Sequence, residues 1–187
     1  MFSSITAFFI AIVMAFLGLF GIGSPESSQT WDAPEVFWSV LDNLCDAGPP
    51  VLYFAVADIN NDGTQELLLF DSSRSLHSLY TQSGTLAVPL IQWATSRVTD
   101  IIAADGTIFT RGAHSGFSAT YSTSRLSPGA TQLTELTSYT TDFINGQDVF
   151  RVGNGPWQPI TPEKRAFLAQ FMNIPNPMQF NFISVAQ

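Results

Sequence analysis

Three kinds of hydrophobic pattern follow one another along the chain, and each predicts a different element. Residues 5–23 are almost wholly apolar, with Thr6 the one polar break. Residues 24–30 are polar and hold a proline, which suits a short linker. A helical pattern comes next. Val36, Phe37, Val40, Leu41 and Leu44 fall at helical spacing and make one apolar face. Asp32 is placed to cap this helix, Pro34 suits its first turn, and Glu35 stands three residues after Asp32 as in a capping box. Gly48-Pro49-Pro50 stops it.

The pattern then changes to strands. Residues 51–57 and 67–70 are continuous apolar runs bounded by turn residues, as expected of strands buried on both faces. Beyond them Gly63, Gly84, Gly106 and Gly129 recur at intervals of 21, 22 and 23 residues. Such an interval holds about two strands and two turns, which suits a meander of hairpins. Strands are predicted at 75–80, 86–93, 98–103, 107–111, 117–124 and 148–152. Thr161 and Pro162 open a second helix with Phe167, Leu168, Phe171 and Met172 on its apolar side, and Pro175 ends it. Residues 178–185 are apolar enough to pack as a last strand. The expected fold is mainly β within the α+β class. It is an antiparallel β-meander or a propeller-like arrangement, with an N-terminal helix and a short C-terminal helix.

Composition narrows the function. With 45% hydrophobic residues, 16 Phe and 4 Trp, the chain of 187 residues can bury one sizeable core, taken as a single domain over 31–187. A formal net charge of −8 and the lack of any Lys or Arg run exclude a nucleic-acid partner and a polybasic membrane patch. Cys45 is the single cysteine, so no internal disulfide forms, and it is expected as a small buried side chain on the first helix. As a helix, residues 5–23 would reach about the thickness of a bilayer core. Residues 1–23 therefore read either as a signal peptide, cut after Gly21-Ile22-Gly23, or as an uncleaved N-terminal membrane anchor. Both put the chain from Ser24 onward outside the cytoplasm, secreted or held at the cell membrane. A cytosolic protein with a buried N-terminal helix is the alternative.

The chemistry concentrates between the two apolar runs, in Asp58-Ile59-Asn60-Asn61-Asp62-Gly63-Thr64-Gln65-Glu66. Oxygen-bearing side chains occupy positions 1, 3, 5 and 9, with Gly at 6. Calcium takes about six to eight oxygens, and alternate residues of a tight loop can point at one centre. Asp58, Asn60 and Asp62 would each offer a side-chain oxygen, Thr64 its carbonyl, and Glu66 would close the shell directly or through water. The carboxylates of Asp58, Asp62 and Glu66 would repel one another without a cation. The competing reading is an Asp-Gly hairpin turn with solvated acids.

The first half of the loop matches the EF-hand pattern Asp-x-Asn-x-Asp-Gly, but the EF-hand's position-12 Glu is Leu69 here and strands flank the loop. The segment resembles instead the strand-loop-strand calcium sites of FG-GAP and VCBS-type repeats. It departs from them in Asn60 at position 3 and Glu66 at position 9. A wider stretch, with Tyr53-Phe54-Ala55 ahead of the loop and Leu67 after it, resembles a group of exported bacterial proteins of unassigned function. That likeness spans about residues 31–70. It implies a surface or secreted location and a calcium site, and no reaction.

No nucleophile elbow, His-Glu-x-x-His, P-loop or dinucleotide fingerprint occurs. His77 and His114 stand near Ser75, Ser78 and Ser115, the only raw material for a Ser-His-acid site. Asp100, Asp105 and Asp142 are scattered acids that suggest no second metal site. Trp93, Phe117, Tyr121 and Trp157 would line a ligand surface or pack in the core. The expectation is an exported, calcium-stabilised module that binds an extracellular peptide, protein or glycan. A small secreted hydrolase with a structural calcium loop is the alternative.

Overall fold

The computed structural model describes residues 31–47, 51–92 and 97–185. The expected signal or anchor (1–23), the linker (24–30), the Gly48-Pro49-Pro50 stop and Trp93 lie outside the described residues, as does the side chain of Cys45.

The chain builds two antiparallel sheets. The first takes β1 (Tyr53–Ala57), β2 (Glu66–Phe70), β3 (Leu76–Ser83) and β4 (Leu86–Gln92) in sequence order. The second takes β5 (Val98–Ile102), β6 (Ile108–Ala113), β7 (Ala119–Leu126), β8 (Leu133–Ile144), β9 (Gln147–Val152) and β10 (Gln158–Pro159), again in order. A short β11 (Ile183–Ser184) returns to pair with β1. The expected meander is thus present as two meanders. Two sheets of unequal strand number make no ring of equivalent blades, so the arrangement is not a propeller.

Alternation along the strands explains the layers. In β2 every residue is buried, and its two faces meet different partners. Leu67 and Leu69 join Phe54, Phe37 and Leu41 in a cluster under the N-terminal helix. Leu68 and Phe70 join Ala55, Leu79, Ile102, Ile108 and Leu126 in the core between the sheets. Burying each such side chain contributes about 1.5–3 kcal/mol. The N-terminal helix α1 (Trp38–Ala47) begins with a 3₁₀ turn at Glu35–Phe37. Its apolar face is the one expected: Phe37 and Leu41 are fully buried, with Val36, Val40 and Leu44 packed beside them. Its start differs. Pro34 occupies the N-cap and no side chain caps the turn, so Asp32 and Glu35 make no capping box. Proline has no N–H and fixes its own φ, so it sets the helix start where Asp32 was expected to. The second helix, α2 (Pro162–Gln170), is capped as expected, with Thr161 Oγ1 accepting the Lys164 N–H at 3.2 Å.

The C-terminal segment straps the two sheets together. The Ala104 N–H donates to the Asn176 carbonyl at 3.0 Å and the Met178 N–H to the Ile102 carbonyl at 2.7 Å, both on the second sheet. Phe180 and Phe182 then pack on Phe70, ring centroids 5.5 and 4.9 Å away, and β11 joins the first sheet.

All four spaced glycines lie in turns with positive φ, at 86°, 60°, 79° and 68°. Gly106 has a second constraint. A Cβ there would collide with the backbone carbonyl of Ile59, because the β5–β6 turn is pressed against the β1–β2 loop. At Gly84 the same atom would meet open space. Gly84→Ala should therefore cost about 1 kcal/mol, the left-handed penalty alone, and Gly106→Ala about 3 kcal/mol. Urea unfolding of the two variants measures the difference; equal costs would mean that the two turns are not in contact.

Candidate functional site

The β1–β2 connection carries the acidic loop, and the strands dictate how it begins and ends. Ala57 pairs with Glu66, so residues 58–65 must cross from one strand to the next at the end of the sheet. Ile59 turns inward and is fully buried in the core between the sheets. This pins the loop over the end of that core. Asn61 adopts a left-handed conformation (φ 56°), which Asn tolerates better than most residues.

The polar side chains then wrap around the turn. Asp58 Oδ1 and Asn60 Oδ1 both accept from the Asp62 N–H, at 3.1 and 3.2 Å. Asp58 Oδ2 accepts the Gly63 N–H at 2.8 Å, and Asp62 Oδ1 accepts the Thr64 N–H at 2.8 Å. Asp62 Oδ2 accepts from Asn60 Nδ2 at 2.9 Å and from the Gly129 N–H at 2.8 Å. Gly129 belongs to the β7–β8 loop of the other sheet, and its amide is the main reason the Asp62 carboxyl titrates below its usual range. Asp58, Asn60, Asp62 and the Thr64 amide are thus joined in one set of bonds.

Glu66 is placed differently. It was expected to close the shell directly or through water; its side chain shares the inter-sheet face with Leu68 and Phe70 and is fully buried. Its Oε2 accepts the Ile59 N–H at 3.1 Å, and its Oε1 accepts from the Thr81 hydroxyl at 3.0 Å. Burial pushes its carboxyl up, the two hydrogen bonds pull it down, and the nearby Asp62 and Asp58 charges push it up again; the net direction is upward. Glu66 thus holds the loop from beneath.

Two turns of the second sheet complete the assembly. Gly106 abuts the Ile59 carbonyl, and Gly129 reaches Asp62. Next to them Arg125 Nη2 donates to Asp105 Oδ2 at 2.8 Å and to Thr107 Oγ1 at 2.7 Å. This ion pair is largely solvated and contributes at most about 1 kcal/mol. Thr81, Arg125 and the Gly129 amide were not singled out from sequence. The glycine spacing had marked the right turns without saying that they meet.

The donor set suits a hard cation. It offers carboxylate, amide and carbonyl oxygens, with no sulfur or imidazole, which favours calcium over zinc. Carboxylate oxygens that accept one amide keep a further lone pair. Among the described residues, no three His, Cys, Asp or Glu side chains gather closely enough to hold a metal by themselves, so an ion here depends on Asn60 and the Thr64 carbonyl as well.

The other residues of interest lie apart. His77 on β3 bonds Ser78 Oγ at 2.8 Å, and Ser78 is buried away from any substrate. His114, after β6, bonds Thr120 Oγ1 at 2.9 Å, while Ser115 Oγ accepts the Phe117 and Ser118 amides. Among the described residues neither histidine bonds a carboxylate. Asp100 is buried and accepts from the Thr110 hydroxyl. Trp157 stacks under Arg151, 4.7 Å from the guanidinium carbon. Tyr121 is half-buried against Phe171, and Phe117 stands 73% exposed. No protein-family model, curated protein or solved structure matches this chain.

The raised Glu66 pKa has a definite sign. The native state holds this proton more tightly than the unfolded chain does. The stability it contributes is full below about pH 4, the unfolded pKa, and is lost as pH rises through the higher folded value. Asp62 acts in the opposite sense, stabilising above its unfolded pKa and losing that contribution as pH falls. Glu66→Gln keeps an acceptor for Ile59 and can donate to Thr81, so without calcium it should melt at or above the wild-type temperature at pH 7 and level with it near pH 4. Glu66→Ala strands two buried donors and should cost about 2 kcal/mol or more. A Gln variant that melts well below wild type at pH 7 contradicts the burial account.

Proposed function

We propose that this domain is a calcium-stabilised binding module that works outside the cytoplasm. The observation that carries the reading is the convergence of Asp58 Oδ1 and Asn60 Oδ1 on the Asp62 amide, 3.1 and 3.2 Å away, with the Asp62 carboxylate folded onto the same turn. In this reading Asp58, Asn60, Asp62 and the Thr64 carbonyl hold the ion. Glu66 supports the loop from the core side, and its charge is balanced by the ion above it. The resemblance to FG-GAP and VCBS-type loops agrees with this assignment. The ion's task is structural. It offsets repulsion among the loop acids and fixes Asp62, and Asp62 in turn holds Gly129 of the opposite sheet.

Extracellular calcium modules bind with a Kd of about 10⁻⁴–10⁻³ M, which matches calcium levels outside cells. Residues 1–23 supply the export signal or anchor, and the partner is an extracellular peptide, protein or glycan. Among the described residues no helix is long and apolar enough to cross a membrane.

Two measurements test the reading. Calcium at about 2 mM should raise the melting temperature by about 5 °C over a chelator control, and Asp58→Ala should abolish the rise. An unchanged wild-type melting temperature removes calcium from the account. Protease added to intact cells should digest the domain; full protection would place it inside and overturn export.

A further inference from the structure

The outer face of the second sheet is only partly covered, and its register shows why. Tyr121 and Tyr139 are partners across β7 and β8, and Phe109 stands diagonal to Tyr121 on β6, where Arg111 is its partner. These rings receive Phe167 of α2 and Phe171 at its C-cap, with ring centroids 5.5–6.3 Å apart. One row along, Ala119 faces Thr141 across the β7–β8 pair, and these side chains are too short to reach the helix. A hollow of about 320 Å³ remains there, at the small end of the range for ligand sites. Beyond it stand Phe117 on the β6–β7 turn and Phe143 at the end of β8. Their rings are 5.6 Å apart and tilted by 33°, and they are 73% and 47% exposed. Two large rings left side by side in water, at the rim of a hollow, mark a contact surface.

The polar lining describes what fits. Arg165 donates to Asp148 at 2.6 Å across the α2 side. Arg111 and Asp142 line the same hollow, so two cations and two anions cancel. Asp142 Oδ1 accepts the Phe143 N–H at 2.8 Å, and Arg111 bonds no carboxylate among the described residues. The lining thus offers both acceptors and donors beside an aromatic platform, with no net charge. Hydroxyl groups, which donate and accept at once, satisfy such a rim. A peptide cannot add here as a further strand, since β6, β7, β8 and β9 are each paired on both sides.

We propose that this cleft binds a neutral sugar, with a pyranose ring lying on Phe117 and Phe143 and its hydroxyls reaching Asp142, Arg111 and Arg165. The proposal rests on reading the domain as a binding module and does not involve the ion, since no residue of the 58–66 loop lines the cleft.

The test is calorimetric titration of the full 187-residue chain with maltotriose, cellotriose, xylotriose and mannotriose, and with uncharged tetrapeptides as a second arm. At least one trisaccharide should bind. Phe117→Ala should weaken it at least about ten-fold and Asp142→Asn about five-fold, while Trp157→Ala, outside the cleft, leaves it unchanged. Phe117 is exposed, so its variant should melt with the wild type, and a matched melting temperature separates lost binding from lost folding. No binding of any trisaccharide at about 10 mM overturns the proposal. So does binding that Phe117→Ala leaves intact, or binding of the peptides alone. Repeating the titration in chelator separates the two readings: sugar binding without any calcium effect on melting removes the ion and keeps the cleft.

Discussion

A carboxylate surrounded by hydrocarbon must be given hydrogen-bond donors, and the fold of this domain is arranged around that requirement at Glu66. The side chain shares the inter-sheet face of β2 with Leu68 and Phe70, where an apolar residue would be ordinary. Its two oxygens are answered by the Ile59 amide and the Thr81 hydroxyl. The first of these bonds turns the loop back over the core and seats Ile59 within it. Once Ile59 is seated, its carbonyl lies against Gly106 and Asp62 comes within reach of Gly129. The joint between the two sheets at this end is therefore built outward from one buried acid.

The joint is polar on its outer side and apolar within. Asp62 links turns that are 67 residues apart in the chain, and Asp105 with Arg125 braces the neighbouring turn. Such contacts are short and directional, and they complement the Ile, Leu and Phe side chains that fill the space between the sheets. An ion at Asp58, Asn60 and Asp62, as proposed, would act through the Asp62–Gly129 bond on the opposite sheet as well as on the loop.

The strands that bury residues were legible in the sequence. Leu67 to Phe70 and the run ending at Ala57 are β because both of their faces meet hydrophobic partners, and a continuous apolar run reports that directly. The glycine spacing reported turns for the same reason, since positive φ restricts the choice of residue. Strand β8 was missed. Half of its twelve residues are Thr, Ser or Glu, and along its first half they are largely exposed, so no hydrophobic period marks it. It is a strand because β7 and β9 bond to it. The burial of Glu66 was not legible for a related reason: loop spacing alone does not tell whether position 9 faces the solvent or the core, and the alternation along β2 that follows from the pairing of Ala57 with Glu66 does. The polar side chains of the 58–64 loop, by contrast, bond to near neighbours in the chain, so the spacing of Asp58, Asn60 and Asp62 already relates them.

The C-terminal strap bears on how the chain reaches this arrangement. Every strand pairing but one joins consecutive strands, so loop-closure entropy is small for each hairpin as it forms. The exception is β11 on β1, which bridges about 130 residues by joining Phe54 to Ile183. Both meanders can assemble before it. Until the strap arrives, Phe70 and Tyr53 lack the rings of Phe180 and Phe182 that cover them. Closing this aromatic seam needs the last ten residues, and a chain lacking them would leave Phe70 and Tyr53 without that cover.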